Sequence, residues 1–181
     1  QTQKILDTYL PRDTRAAAEA MAMAVTRQAQ RDRFMTRITM GYPSRDSELE
    51  MLERHGAHNP LDELYPVTHG ERITELIDVV GSVYVADVVK DYLVNIVAAT
   101  RSHDAVRLGA SPRASLHLIR TARAKAALAG RDYVIPDDVQ AMAIPVLAHR
   151  LLPSTRAQLD GISPVDIVSQ ILTSTPVPEQ A

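Results

Sequence analysis

The chain has 181 residues, 45% of them hydrophobic, with one Phe, no Trp, no Cys and a formal net charge of −2. That is room for one domain, or one domain with a smaller appendage, whose core must be Leu, Ile, Val, Ala and Met. Without Cys there is no disulfide, thiolate metal site or cysteine nucleophile, and the slightly acidic balance gives no general attraction to nucleic acid or anionic membrane. The lack of Cys fits a reducing compartment. No apolar run reaches the roughly 18 residues of a membrane span, and the N-terminus lacks the basic, then apolar pattern of a signal peptide. The expected location is cytoplasmic.

The opening stretch reads as a short helix, a break at Pro11, and an Ala-rich helix from about Asp13 to Gln30 with Asp13 as cap. Phe34, Thr36, Ile38 and Met40 alternate with Met35, Arg37 and Thr39, which predicts a short strand closed by Gly-Tyr-Pro. SRDSELEMLERHG predicts a helix capped by Ser44 and stopped by Gly56. NPLDELYPVTHGE has little periodicity and reads as a connector. Ile73, Leu76, Ile77 and Val80 share one face of a further helix. Val85, Val88, Val89, Tyr92, Leu93, Ile96 and Val97 recur at helical spacing over YVADVVKDYLVNIVAATR. Its β-branched residues lower helix propensity, so burial must hold this helix.

Ser111 caps the next helix and Pro112 takes its favoured first position. Leu116, Ile119, Ala122, Ala126 and Ala129 are its expected apolar stripe, with Gly130 as the stop. RDYVI is one extended segment. Pro136 restarts a helix with Asp137 and Asp138 in its first turn, where the dipole favours carboxylates, and Pro145 should kink it. Ser163 caps a last helix with Pro164 behind it, and the tail TPVPEQA should fray. The fold class is mainly α. A helical bundle runs from about Ser44 to Ser174, and the helix and strand ahead of it look like the edge of another unit.

No G-x-x-x-x-G-K-[ST] occurs, and no apolar strand ends in paired acidic residues, so these residues alone cannot complete a P-loop nucleotide site. No G-x-G-x-x-G or G-x-S-x-G occurs either. His55 and His58 surround Gly56 and read as polar residues at a helix end; metal binding would need a third ligand, and no metal site is expected. Ser102, His103 and Asp104 are adjacent, and adjacent residues do not face one another in a helix, which argues against a nucleophilic triad. His117 reads as a boundary residue and His149 as a cation at a helix C-terminus.

Two arginine groups remain. Arg113 stands on the first turn of the helix capped by Ser111. A helix start presents free N–H groups and about half a positive charge, so an arginine there is mildly unfavourable unless an anion sits in front. Then backbone dipole and guanidinium act on the same charge. Gly109 and Ala110 would leave room for such a ligand, and Ser115 could add a hydroxyl; the alternative is an Arg113 that points into solvent. The second group is Arg27, Arg31, Arg33 and Arg37, with Asp32 as the local counter-ion. An arginine at a helix-to-strand corner can reach across a subunit interface, or it can be an ordinary solvated charge.

With these residues in view, the sequence resembles the C-terminal part of a MoxR-family AAA+ ATPase. QAQRDRFMTRITMGYPSRDSELEML resembles the segment that closes the α/β nucleotide-binding core and leads into the lid. LGASPRASLHLIRTARAKAALAGRDYVIPDDVQAMAIPVLAHRL resembles the lid's most recognisable stretch, and SPVDIVSQILTSTPVP its terminal helix. The likeness runs from about Gln28 to Pro178. It implies that residues 1–43 are a remnant of the AAA+ core and residues 44–181 the helical lid.

By this resemblance Arg113 falls on the sensor-2 arginine, which contacts nucleotide phosphates, with Ala110, Ser111 and Pro112 flanking it. Arg33, in RDRF, falls where the family reads Leu-Asp-Arg-Phe and is the candidate arginine finger, Arg31 replacing the leucine. Ile135 stands where the family prefers a hydroxyl cap, and Asp137 and Asp138 would supply part of the lost stabilisation. The implied cofactor is ATP, with Mg2+ held by the core lobe. The implied whole is an ATP hydrolase in a ring homo-oligomer, a hexamer by family likeness, remodelling partner proteins that include ones with von Willebrand factor A domains. These residues alone, lacking Walker A and Walker B, should be inactive. The alternative is a helical protein-interaction module with no nucleotide role. DNA binding is disfavoured by charge, and Arg120, Arg123 and Lys125 read as a polar lid face.

Overall fold

Val89, Tyr92, Leu93, Ile96 and Val97 are buried along one face of a single helix, and the rest of the fold is arranged around that face. The computed structural model describes residue 26, residues 28–55 and residues 64–178. The N-terminal helix, the break at Pro11, most of the Ala-rich helix, Arg27, Gly56, His58 and the last three residues of the tail lie outside that range. Residues 28–31 are helical and end in a tight turn, where the Asp32, Arg33 and Phe34 N–H groups donate to the carbonyls of Gln28, Gln30 and Arg31.

Seven helices follow among the described residues: α1 (Arg45–His55), α2 (Gly70–Ser82), α3 (Asp87–Ser102), α4 (Pro112–Leu128), α5 (Pro136–Leu147), α6 (Thr155–Leu159) and α7 (Pro164–Ser174). A 3-10 turn, Ala148–Arg150, continues α5. Strands β1 (Val106–Leu108) and β2 (Leu152–Pro153) form a two-stranded antiparallel pair. The core is α3, α4, α5 and α7, packed through Ala114, Leu118, Ala122 and Ala126 of α4, Val139, Ala143 and Val146 of α5, and Ile167, Val168 and Ile171 of α7. The small buried side chains Ala114, Ala122 and Ala126 let α4 pack closely into this core.

Local chemistry explains most boundaries. Ser163 caps α7 by accepting from the Asp166 N–H at 3.2 Å, and Asp166 returns a bond to the Ser163 N–H at 2.9 Å, a reciprocal box. Ser44 accepts from the Ser47 N–H at the start of α1. Ile135 cannot cap α5 with its side chain, and Asp138 takes over: it accepts from the Ile135 N–H at 3.0 Å and binds both Arg131 nitrogens at 2.7 Å. Burial alone would raise the Asp138 pKa, but the Arg131 hydrogen bonds, the Ile135 N–H and the nearby cations outweigh it and hold the carboxyl below its ordinary range. α5 runs past Pro145 to Leu147 and passes directly into the 3-10 turn at Ala148; the Pro145 carbonyl accepts the Arg37 N–H at 2.9 Å.

Three expectations change. Residues 36–43 form no regular secondary structure, where the alternation predicts a strand, and no described strand pairs with them; Phe34, Ile38 and Met40 are exposed. A strand is a paired state, and the partner is not among these residues. The stripe of α4 is Ala114, Leu118, Ala122 and Ala126, whereas Leu116 and Ala129 face solvent. His117 and Thr121 lie on the buried side, so apolarity alone placed the face a fraction of a turn away. α3 starts at Asp87, because Tyr84 instead bridges Tyr133 in parallel, with Val134 N–H donating to the Tyr84 carbonyl at 2.9 Å.

Asp138→Ala would leave the Arg131 guanidinium and the Ile135 N–H without their acceptor and should cost about 2–3 kcal/mol. A thermal or urea melt at neutral pH measures this. The loss should shrink as pH falls through the carboxylate range, because a carboxyl with a depressed folded pKa contributes stability only above that range.

Candidate functional site

The first turn of α4 carries Pro112 and Arg113 in the open, after Ser111 in an extended N-cap conformation (φ −74°, ψ 166°). The Ser111 hydroxyl does not cap its own helix. It donates to Asp32 Oδ2 at 2.8 Å, so the helix start is tied to the turn at residues 32–35 and its own N–H groups have no side-chain cap. Arg113 is exposed and forms no ion pair or side-chain hydrogen bond with the described residues, while its charge is felt by His117 and Arg150 beneath it. Among the described residues, an unpaired guanidinium stands on a helix start that has no side-chain cap. Such an arrangement favours an anion.

Gly109 and Ala110 face inward rather than towards a ligand. A Cβ on Gly109 would lie 2.6 Å from the Thr100 carbonyl oxygen, and Ala110 is buried with its N–H donated to Thr100 Oγ1 at 3.0 Å. The small residues here let the loop pass against the backbone of α3, and Arg101 Nε secures the Ala110 carbonyl at 2.8 Å.

Below the helix start lies Arg150, whose side chain is 1% exposed. Its Nη1 donates to the carbonyls of Val146 and Met35, and its Nη2 to those of Phe34 and Asp32 and to His117 Nδ1. Nε stands 3.3 Å from Asp32 Oδ1, an ion-pair distance without a hydrogen bond. Nη1 also meets His149 Nε2 at 2.9 Å. Gln28, buried beside it, donates to the Arg150 carbonyl. Because Arg150 can only donate, the ring nitrogens facing it must accept, so both imidazoles are neutral there. His149 Nδ1 is then free to donate to the Pro145 carbonyl at 3.1 Å. His149 was expected as a helix C-terminal cation; it is buried instead, and burial, with Arg150 and Arg37 adding to it, lowers its pKa against the opposing pull of the Phe34 and Pro145 carbonyls. Burial likewise lowers His117, helped by Arg150, Arg120 and Arg113 and opposed by Asp32.

The other sequence candidates are dispersed. Arg33 is exposed on the turn that Arg150 holds, and Arg31 and Arg37 line a cavity of about 430 Å³ with Phe34, Thr36, Ile38 and His149. Ser102 bonds the Ala99 carbonyl and His103 Nδ1 accepts the Ala105 N–H, so neither faces a catalytic partner. The His55 side chain lies outside the described residues, as does His58. Among the described residues no group of three or more His, Asp or Glu could hold a metal, and no helix is long and apolar enough to cross a membrane. Arg120 and Arg123 border an apolar groove of about 710 Å³ between α2 and α4. Sequence reasoning missed Asp32, Arg150 and the two buried histidines as a unit. The available signal was an arginine inside the apolar run from Val146 to Leu152, a charge that burial would force to find acceptors.

Comparison with known proteins decides the family. Residues 98–171 match the AAA lid domain. The chain is 38% identical over 179 residues to the uncharacterized protein YeaC of Bacillus subtilis, covering 99% of this chain and 56% of that protein. It is 37% identical over 161 residues to Chaperone MoxR1 of Mycobacterium tuberculosis, covering 84% and 42%. The crystal structure of a "putative ATPase" from Cytophaga hutchinsonii superposes with a TM-score of 0.75 at 30% identity, covering 84% of this chain and 49% of that one. The chain contains the lid domain of a MoxR-type AAA+ ATPase. It spans about half the length of the curated relatives it matches most extensively. In this MoxR-type lid, Arg113 and the Ser111–Asp32 contact lie at the start of α4, within the matched domain and at its edge with the preceding segment.

The two buried imidazoles generate a pH dependence. Each binds a proton less readily folded than unfolded, so the unfolded state takes up more protons as pH falls through the ordinary imidazole value of 6.5. Their contribution to stability is complete above that value and declines below it. Melting temperature should drop between pH about 7.5 and about 5.5, and the drop should be smaller in His117→Gln and His149→Gln variants.

Proposed function

We propose that this chain is the nucleotide-sensing lid of an ATP-hydrolysing MoxR-type protein, with Arg113 as the group that meets the nucleotide phosphates. The observation that carries the reading is the exposed Arg113, unpaired among the described residues, on a helix start without a side-chain cap and near the buried Arg150. ATP, with Mg2+ on the core lobe, would supply the polyanion; residues 1–43 are read as the end of that lobe's chain and residues 44–181 as the lid, with the turn at 32–35 held on the lid side by Arg150. Arg113 favours the lid position in which a γ-phosphate is within reach, so nucleotide state shifts the lid population. Arg33, exposed at the turn ahead of the lid, serves as an arginine finger towards a neighbouring copy in a ring. The name of Chaperone MoxR1 supports a chaperone-like use of that motion.

The residues present suit a phosphate better than a metal: the donors at the α4 start are cationic or N–H groups, and Asp32 is already committed to Ser111 and Arg150. In the full-length protein, Arg113→Ala should weaken ATP-dependent thermal stabilisation and ATP turnover by about tenfold or more. Unchanged ATP affinity, turnover and lid position would remove the nucleotide role and leave a helical protein-interaction module.

A further inference from the structure

Arg33 and Arg113 stand on separate elements 80 positions apart in sequence, and one buried cluster joins those elements. On one side, Arg150 gathers the carbonyls of Asp32, Phe34 and Met35, which are the residues around Arg33 and the turn after it. On the other, Asp32, ion-paired to Arg150, accepts the Ser111 hydroxyl one residue before α4 begins. His117, on the second turn of α4, accepts from the same guanidinium. The turn cannot slide along α4 without breaking several charge-assisted bonds in a dry site, where each is stronger than at the surface.

We infer that Arg150 is a positioning residue: through Asp32, Ser111 and His117 it locks the turn bearing Arg33 to the first turns of α4 bearing Arg113, so that the two arginines move as one rigid body. Resting on the phosphate-sensing reading above, this makes finger and sensor a coupled pair. A change felt at Arg113 displaces Arg33 by the same rotation, with no flexible joint between them. Arginine is required at position 150, since a lysine ammonium has three donors and no planar fork to span carbonyls and imidazole together.

These 181 residues contain no Cys, so labelling requires replacing only any Cys that lies outside them. In the full-length protein, spin labels on Gln30→Cys and Leu116→Cys, both exposed positions, report the distance between turn and helix without nucleotide. The parent should give one narrow distance distribution. Arg150→Gln, Arg150→Lys, Asp32→Asn and Ser111→Ala should each broaden it. The same variants should lower kcat for ATP by about tenfold to a hundredfold, as misplacement of a reacting group does, while KM moves less than about threefold. If Arg150→Gln fails to fold, Ser111→Ala, which removes one half-exposed bond, decides the matter. Distributions as narrow as the parent's in the folded variants would overturn the positioning role whatever Arg113 does. Broadened distributions with an Arg113→Ala variant of normal activity would keep the lock and refute the phosphate reading instead.

Discussion

A guanidinium that loses nearly all contact with water must be given acceptors on every side, and meeting that demand for Arg150 shapes the surrounding structure. Val146 supplies a carbonyl from its own helix, the turn at 32–35 supplies three more, and two histidines turn their lone pairs inward. Burial draws Arg150 below the usual arginine range and Asp32 draws it back. Removing one partner of such a cluster exposes the rest to the full cost of an unmatched buried charge, on the order of 3–5 kcal/mol. The cluster therefore acts as a single unit.

This constraint gives the lid two dissimilar surfaces. Around Arg150 the segment at 28–37 is bolted to the bundle by Gln28, Asp32 and the Arg37–Pro145 backbone bond. A few residues on, Ile38, Met40 and Tyr42 stand in the open, and α1 and α2 carry exposed leucine, methionine and isoleucine. An alternating apolar segment leaving a rigid bundle is suited to pairing with a sheet in an adjoining lobe, which is the geometry the AAA+ reading calls for.

Helix ends were legible because their determinants are local. Ser44, Ser163 with Asp166, Pro112, Pro136 and Pro164 each act within a turn of the residue concerned, and the structure places helix starts at or next to them. The placement of Arg113 on the first turn of α4 was legible for the same reason. The face of α4 was not, because His117 and Thr121 are buried for the hydrogen bonds they make, and no hydrophobicity pattern marks them. Nor were β1 and β2, two short segments joined only by folding.

Sequence by itself determined that the chain is mainly helical, where α1, α4, α5 and α7 begin, that an arginine stands on the first turn of α4, and which family's lid it resembles; all of these depend on neighbours within a few positions or on motifs read directly. Tertiary structure alone decided that Ser111 serves Asp32 instead of its own helix, that Ala110 and Gly109 belong to the core, and that His149 is neutral. Each of those outcomes depends on a partner between nine and more than a hundred positions away, brought near by burial of the α3–α4–α5 core, and hydrogen-bond satisfaction at such separation leaves no periodic trace in the chain.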